Sequence, residues 1–182
     1  HHIPGADRHA MPFRSVADAL AIEHRMQTLL QQGKPLRIVI AGGGISGIEA
    51  LGEILRRHRD NPSLSVELVE AGDQLLPGLP ASLDADLRRL CEPYAVKFHT
   101  ATKIASVSPK GVRLADGTRL RSELTLWTAG LAPPVLLRES GLAPPPQVWA
   151  DVHQTLQSRH FDNTFVIGDA AQPPQAVGKQ AS

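Results

Sequence analysis

The run Leu36–Ala41 passes directly into Gly42-Gly43-Gly44-Ile45-Ser46-Gly47, and no other segment restricts the fold as much. Ile38, Val39 and Ile40 are consecutive and bulky, which suits a parallel strand buried on both faces. Beyond the glycines, Ile48, Leu51, Ile54 and Leu55 fall on one face of a helix expected from Ile45 to Arg59. A strand that turns into a helix across GxGxxG is the first half of a βαβ unit. The chain is therefore expected to be α/β.

The rest of the sequence fits that frame. Ser15 caps an amphipathic helix to Gln32 carrying Val16, Leu20, Met26, Leu29 and Leu30, closed by Gly33. Leu64 to Val69 reads as a second buried strand, and a helix capped by Ser82 runs to Cys91. Short strands follow at Val96–Phe98, Lys103–Val107, Gly111–Leu114 and Thr118–Leu120, with turns at Pro109-Lys110-Gly111 and Asp116-Gly117. The last three strands make an antiparallel ribbon inserted in the final crossover. Glu123–Trp127 returns to a buried strand, Pro133-Pro134 opens a short helix, and Pro144-Pro145-Pro146 reads as a stiff linker. Thr164–Ile167 is read as a last buried strand, ending in Gly168-Asp169. The expected architecture is a Rossmann-like parallel sheet of strands at 36–41, 64–69, 95–98 and 123–127, with helices on one face and the ribbon on the other.

In that context the glycines have separable tasks. Gly42 makes the tight turn, Gly44 lets a pyrophosphate approach the backbone, and Gly47 lets helix and strand pack closely. The N–H groups of Gly43, Gly44, Ile45 and Ser46 lie where a helix N-terminus receives phosphate. Glu70 ends the next strand 23 residues after Gly47, near the spacing at which a carboxylate accepts from an adenosine ribose. These features point to NAD(H). With Asp73 close by, they disfavour the 2′-phosphate of NADP(H). The plainer alternative for Glu70 is an exposed acid at a strand end.

Several function classes are excluded. There are 19 Lys+Arg against 18 Asp+Glu, so no nucleic-acid partner is expected. The single Cys91 allows no internal disulfide and no zinc cluster, which suits a reducing, cytoplasmic compartment. A short-chain dehydrogenase needs Tyr and Lys four apart, but Tyr94 is the only tyrosine and Phe98 occupies the lysine position. A hydroxy-acid dehydrogenase needs a His–acid pair, and His24, His58, His99, His153 and His160 read as surface or core. No catalytic residue is assigned.

Taken together, IVIAGGGISGIEALGEI, VELVEAGDQLLP, GVRLADGT, SELTLWTAGLAPP and FVIGDAA resemble the two-dinucleotide flavoproteins of the pyridine nucleotide–disulfide oxidoreductase superfamily. Type II NADH dehydrogenases are the nearest branch. The resemblance implies that Gly42–Gly47 and Glu70 serve NAD(H), and that Glu49 lies beside nicotinamide and flavin. It also places Thr128, Ala129 and Gly130 at a domain junction near the cofactor. Gly168 and Asp169 would contact FAD. The plainer alternatives are an exposed helix residue for Glu49 and a helix N-cap for Asp169.

The resemblance also implies a division of the chain. Residues 1–34 would be a stub and helix from the FAD-domain side, 35–150 the NAD domain, and 151–182 the return into an incomplete FAD domain. Before Pro35 only a helix is expected, with no strand and no second glycine loop. The full-length parent would be an FAD-dependent NADH oxidoreductase delivering electrons to quinone or another acceptor, peripheral on the cytoplasmic membrane face. The alternatives are a non-catalytic NAD(H)-binding module, or part of an NADH-dependent disulfide or ferredoxin reductase. The isolated chain is expected to be inactive. It would partner the remainder of its own FAD domain, or form a homo-oligomer.

Overall fold

Both faces of the Leu36–Ala41 strand are buried in the computed structural model, which describes residues 3–130 and 133–172. Leu36, Ile38 and Ile40 face one side and Val39 the other, each at most 1% exposed. The described residues divide into two compact units, split after Gly130.

In chain order the first unit contains α1 (Ala6–His9), β1 (Met11–Pro12), α2 (Val16–Gln31), β2 (Leu36–Ala41), α3 (Ile45–His58) and β3 (Leu64–Val69). It continues with α4 (Ala81–Cys91), β4 (Val96–His99), β5 (Ile104–Ser108), β6 (Gly111–Leu114), β7 (Arg119–Arg121) and β8 (Leu124–Trp127). The sheet order is β1-β8-β2-β3-β4, parallel throughout. On one face Ile22, Met26 and Leu29 of α2, Leu51 and Ile54 of α3 and Cys91 of α4 pack with Ile38, Ile40, Val66, Leu68, Leu124 and Leu126. On the other, Val39, Val69 and Trp127 meet Val107, Val112, Leu114 and Leu120 of the antiparallel sheet β5-β6-β7. Period-two alternation of side chains along each strand separates these two cores. Truncating a fully buried residue such as Leu29 to Ala would cost about 2–5 kcal/mol.

The helix starts differ in how they are made. Ser15 caps α2 as expected, in a reciprocal box: its Oγ accepts the Asp18 N–H at 3.1 Å, and Asp18 Oδ2 accepts the Ser15 N–H at 3.0 Å. Ser82 does not cap α4, which begins after Pro80 with no side-chain cap. The fixed φ of that proline sets the turn instead. Val16 and Leu20 are 78% and 66% exposed, because the stripe that meets the sheet runs through Ile22, Met26 and Leu29. A strand also occurs before Pro35: Met11 and Pro12 pair in parallel with Leu126 and Trp127. Two residues are too few to show a period, and proline is tolerated there because β1 is an edge strand.

The second unit holds α5 (Val135–Glu139), β9 (Ala150–Asp151), a 3₁₀ turn at Gly168–Ala170 and β10 (Ala171–Gln172), which pairs in parallel with β9. Leu137, Ala143, Ala150, Val152 and Val166 form its core. The proline run 144–146 lies inside this unit, between Ala143 and Ala150, which are buried in the same core. Thr164–Ile167 is not a buried strand. Only Phe165 bridges, to Gln157, and Phe165 and Ile167 are 62% and 71% exposed while Val166 alone is buried. An apolar run becomes a strand only where a neighbouring strand meets its backbone groups, and among the described residues it has that single bridge. No helix among the described residues is long and apolar enough to cross a membrane.

Candidate functional site

The strand order places β2 between β8 and β3: β2 leads through α3 on the helical face to β3, whereas β8 is reached from β4 through the ribbon on the opposite face. Crevices at the carboxyl ends of such strands are where open α/β sheets bind ligands. Three segments leave the sheet there: Gly42–Gly47 after β2, Glu70 after β3, and Thr128-Ala129-Gly130 after β8.

The protein itself explains three of the four glycines. Gly42 has φ +111°, a region that side chains disfavour, and a Cβ on it would lie 2.9 Å from the Ala129 nitrogen and from Thr128 Oγ1. A Cβ on Gly47 would collide with the Gly42 carbonyl oxygen. On Gly43 it would press on Glu70 Cβ at 3.0 Å and Leu75 Cδ2 at 3.1 Å. Gly44 is different. Its φ is −71°, and a Cβ there would have no atom of the described residues within 4 Å.

Gly44 is also the N-cap of α3, with no side-chain cap. Among the described residues the N–H groups of Gly44, Ile45 and Ser46 have no backbone or side-chain acceptor. Ile45 is 63% exposed and Ser46 is exposed beside it. The first turn of α3 thus presents unpaired donors and the positive end of its dipole to open space, an arrangement that suits an anion.

Glu70 is 7% exposed, so it is not an exposed strand-end acid. Its Oε2 accepts the Gly43 N–H at 2.6 Å and its Oε1 accepts the Gly72 N–H at 2.7 Å. Each oxygen keeps acceptor capacity beyond that one bond. Thr128 Oγ1 donates to the Ala41 carbonyl at 2.9 Å, with the Gly42 carbonyl at 3.1 Å, tying the end of β8 to the start of the glycine turn. Ala129 is half-buried against Gly42, and Gly130 is exposed with φ +71°.

The structure therefore assembles Gly42, Gly43, Gly44, Ile45, Ser46, Gly47, Glu70 and Ala129 at one end of the sheet. Glu49 is exposed on α3, and among the described residues it makes no ion pair. Gly168 and Asp169 belong to the second unit. Asp169 is exposed and caps nothing, since the N-cap of its 3₁₀ turn is Ile167 and no side-chain bond is made. One histidine departs from the sequence reading. His99 Nε2 lies 2.7 Å from Glu67 Oε2, each side chain 26% exposed, although they are 32 residues apart in sequence.

The segment that leans on Gly43 carries no binding or catalytic motif in the sequence. Leu75 is buried, and the Leu76 N–H donates to the Gly43 carbonyl at 2.8 Å. Asp84 Oδ1 accepts the Leu75 N–H at 2.8 Å, and Arg88 pairs with Asp84 at 2.8 Å. The Asp84–Arg88 spacing of four was a visible helix-pair signal, but nothing in the sequence connected it to the glycines. Among the described residues no cluster of three or more His, Cys, Asp or Glu could hold a metal.

Comparison with known proteins places this geometry in context. The model of the family described as pyridine nucleotide-disulphide oxidoreductase matches residues 1–181. The chain is 32% identical over 173 residues to a type II NADH:quinone oxidoreductase of Haemophilus influenzae, covering 89% of this chain and 39% of that protein. It is 24% identical over 182 residues to the demethylphylloquinone reductase NdbB of Synechocystis, covering 98% and 45%. Among solved structures, NDH2 from Plasmodium falciparum in complex with NADH superposes with a TM-score of 0.85 at 20% identity, over 94% of this chain and 41% of that one. A ferredoxin reductase from Rhodopseudomonas palustris gives 0.78 at 18%, over 95% and 41%. These last two show a shared fold. The chain spans about two-fifths of the length of these relatives.

Proposed function

The chain belongs to the pyridine nucleotide-disulphide oxidoreductase family, and from that premise we propose that its glycine turn binds NADH for an FAD-dependent NADH:quinone oxidoreductase. The observation that carries the reading is the open face of Gly44. Packing dictates glycine at 42, 43 and 47, whereas a Cβ at 44 would meet no atom of the described residues within 4 Å, at the start of a helix whose first N–H groups are unpaired among them. A pyrophosphate fits there, held by backbone N–H groups and the helix dipole. The residues present thus fit NADH: Gly44, Ile45 and Ser46 toward phosphate, and Glu70 toward the adenosine ribose.

For FAD the described residues offer the exposed turn at Gly168 and Asp169. In this proposal the rest of the flavin site lies outside this chain, in line with relatives more than twice its length. When bound, the two groups supply hydride transfer from nicotinamide to flavin and electron delivery onward, so the protein's contribution is position and electrostatics. Glu49, on the exposed face of α3, would stand beside the reacting rings, with Ala129 and Gly130 at the junction. Quinone is preferred as acceptor over ferredoxin or a disulfide because the relatives above 20% identity named here reduce quinones. The whole protein would meet quinone as a peripheral protein on the cytoplasmic face of the membrane. The chain alone would bind NADH without turnover, and it would associate with the remainder of its FAD domain or with a second copy.

Fluorescence titration tests the reading. NADH should bind this chain more tightly than NADPH, and Gly44→Val should weaken both by placing two methyl groups where the pyrophosphate approaches. Equal or better binding of NADPH, or no effect of Gly44→Val, would overturn it.

A further inference from the structure

The peptide of Gly43 is held on both sides by the segment that follows β3. Its N–H donates to Glu70 Oε2 at 2.6 Å, and its carbonyl accepts the Leu76 N–H at 2.8 Å. Leu75, 1% exposed, packs so near that a Cβ on Gly43 would lie 3.1 Å from its Cδ2. Leu76 sits at φ +51°, a strained conformation for a leucine, which persists only where surrounding contacts enforce it. Its own backbone bonds run to Gly43 and Leu79, and α4 holds the neighbouring Leu75.

Asp84 Oδ1 accepts the Leu75 N–H at 2.8 Å, and Arg88 grips both Asp84 oxygens, with Nε at 2.8 Å from Oδ2 and Nη2 at 3.1 Å from Oδ1. The guanidinium in turn lies 5.3 Å from the centre of the Phe98 ring on β4 and reaches Thr100 Oγ1 at 3.5 Å. The guanidinium also holds the Asp84 carboxyl below the usual carboxylate range, so it stays ionised and keeps its acceptor strength. Contacts thus run from Phe98 and Thr100 through Arg88 and Asp84 to the Leu75 N–H, and the adjoining Leu76 N–H bonds the Gly43 carbonyl.

Resting on the proposed NADH site, we infer that Asp84 is a positioning residue for cofactor binding: through Leu75 and Leu76 it fixes the Gly43 peptide, and so the height of the glycine turn at which the pyrophosphate is met. It touches no cofactor. Its effect passes through the backbone, and a shift of the turn of well under 1 Å alters every hydrogen bond made from the α3 N-terminus.

The experiment measures three things on the same variants of this chain: NADH affinity by fluorescence, the Gly43 and Leu76 amide signals by NMR without cofactor, and the melting temperature. Asp84→Ala should weaken NADH by about tenfold and move both amide signals. Arg88→Met, which keeps a flexible side chain against Phe98, should have a smaller effect, because Oδ1 still receives the Leu75 N–H. In that background Asp84→Asn should hold affinity within about threefold of wild type, since the amide oxygen replaces Oδ1 and its NH₂ no longer faces a guanidinium. Asp86→Ala, on the exposed side of α4, is the control and should change nothing. If Asp84→Ala lowers the melting temperature but leaves NADH affinity and the Gly43 signal at wild-type values, the inference is overturned and Asp84 merely holds α4. If the wild-type chain does not bind NADH, the functional reading itself fails and takes this role with it.

Discussion

A 2.6 Å hydrogen bond joins the Gly43 N–H to the Glu70 carboxylate, making the acid that ends β3 part of the support of the glycine turn as well as a candidate ligand for ribose. Glu70→Ala strips acceptors from two N–H groups, Gly43 and Gly72, one fully and one partly buried. The expected cost is about 1–3 kcal/mol for each group left without a partner. The same change removes the charge that repels a 2′-phosphate, so the preference for NADH over NADPH should narrow. Thermal melts and paired titrations check both halves. An undiminished melting temperature would mean the two N–H groups find water, and an undiminished preference would mean Glu70 does not read the ribose.

Gly47 and Gly44 should separate folding from binding. Gly47→Ala drives a methyl group into the Gly42 carbonyl, so the start of α3 must shift, and a loss of roughly 2–4 kcal/mol is expected whether or not cofactor is present. A Cβ on Gly44 meets no atom of the described residues within 4 Å, so Gly44→Val should leave urea unfolding within about 1 kcal/mol of wild type while weakening NADH. Equal losses of stability at both positions would show that Gly44 is as structurally constrained as Gly47.

Much of this was legible from the residues because local and global signals agree. The consecutive Ile38-Val39-Ile40 announces a strand buried on two faces, and the turn residues at Pro109 to Gly111 and at Asp116-Gly117 announce the ribbon. What escaped was set by tertiary partners. Met11 and Pro12 are strand only because β8 lies beside them, and Thr164–Ile167 fails to be one because among the described residues it meets a single bridge. In the site, the glycines and Glu70 stand out by spacing, whereas Asp84 is an ordinary helix acid until α4 is folded against Leu75.

Acid should loosen the sheet through Glu123. Arg37 Nε donates to Glu123 Oε2 at 2.9 Å, and this pairing holds the Glu123 carboxyl below its usual range despite partial burial. A carboxylate whose folded pKa is depressed contributes stability above its unfolded pKa of about 4.3, and that contribution is lost as pH falls through the lower folded value. Arg37→Met should therefore destabilise the chain near pH 6 and flatten the decline below pH 4.5. Urea melts from pH 3 to 6 measure it. Parallel profiles for the two proteins would show that the pair is too well solvated to matter.

The second unit carries the last expectation. Phe165 and Ile167 flank the buried Val166, and both side chains stand in solvent at 62% and 71% exposure. Phe161 is 40% exposed, and Val148 of the same unit is 56% exposed. Covering apolar surface is worth about 25 cal/mol per Å². Among the described residues the stretch holding Phe165 and Ile167 has one bridge, from Phe165 to Gln157, so its backbone can still pair with another chain. In solution the chain is therefore expected to self-associate, reversibly and more strongly with rising concentration. Sedimentation velocity should show a mass above 19.6 kDa, and Phe165→Ser combined with Ile167→Ser should return it to the monomer without lowering NADH affinity, because both residues lie outside the unit that holds the glycine turn. A wild-type chain that stays monomeric at high concentration would show that this surface is content in water.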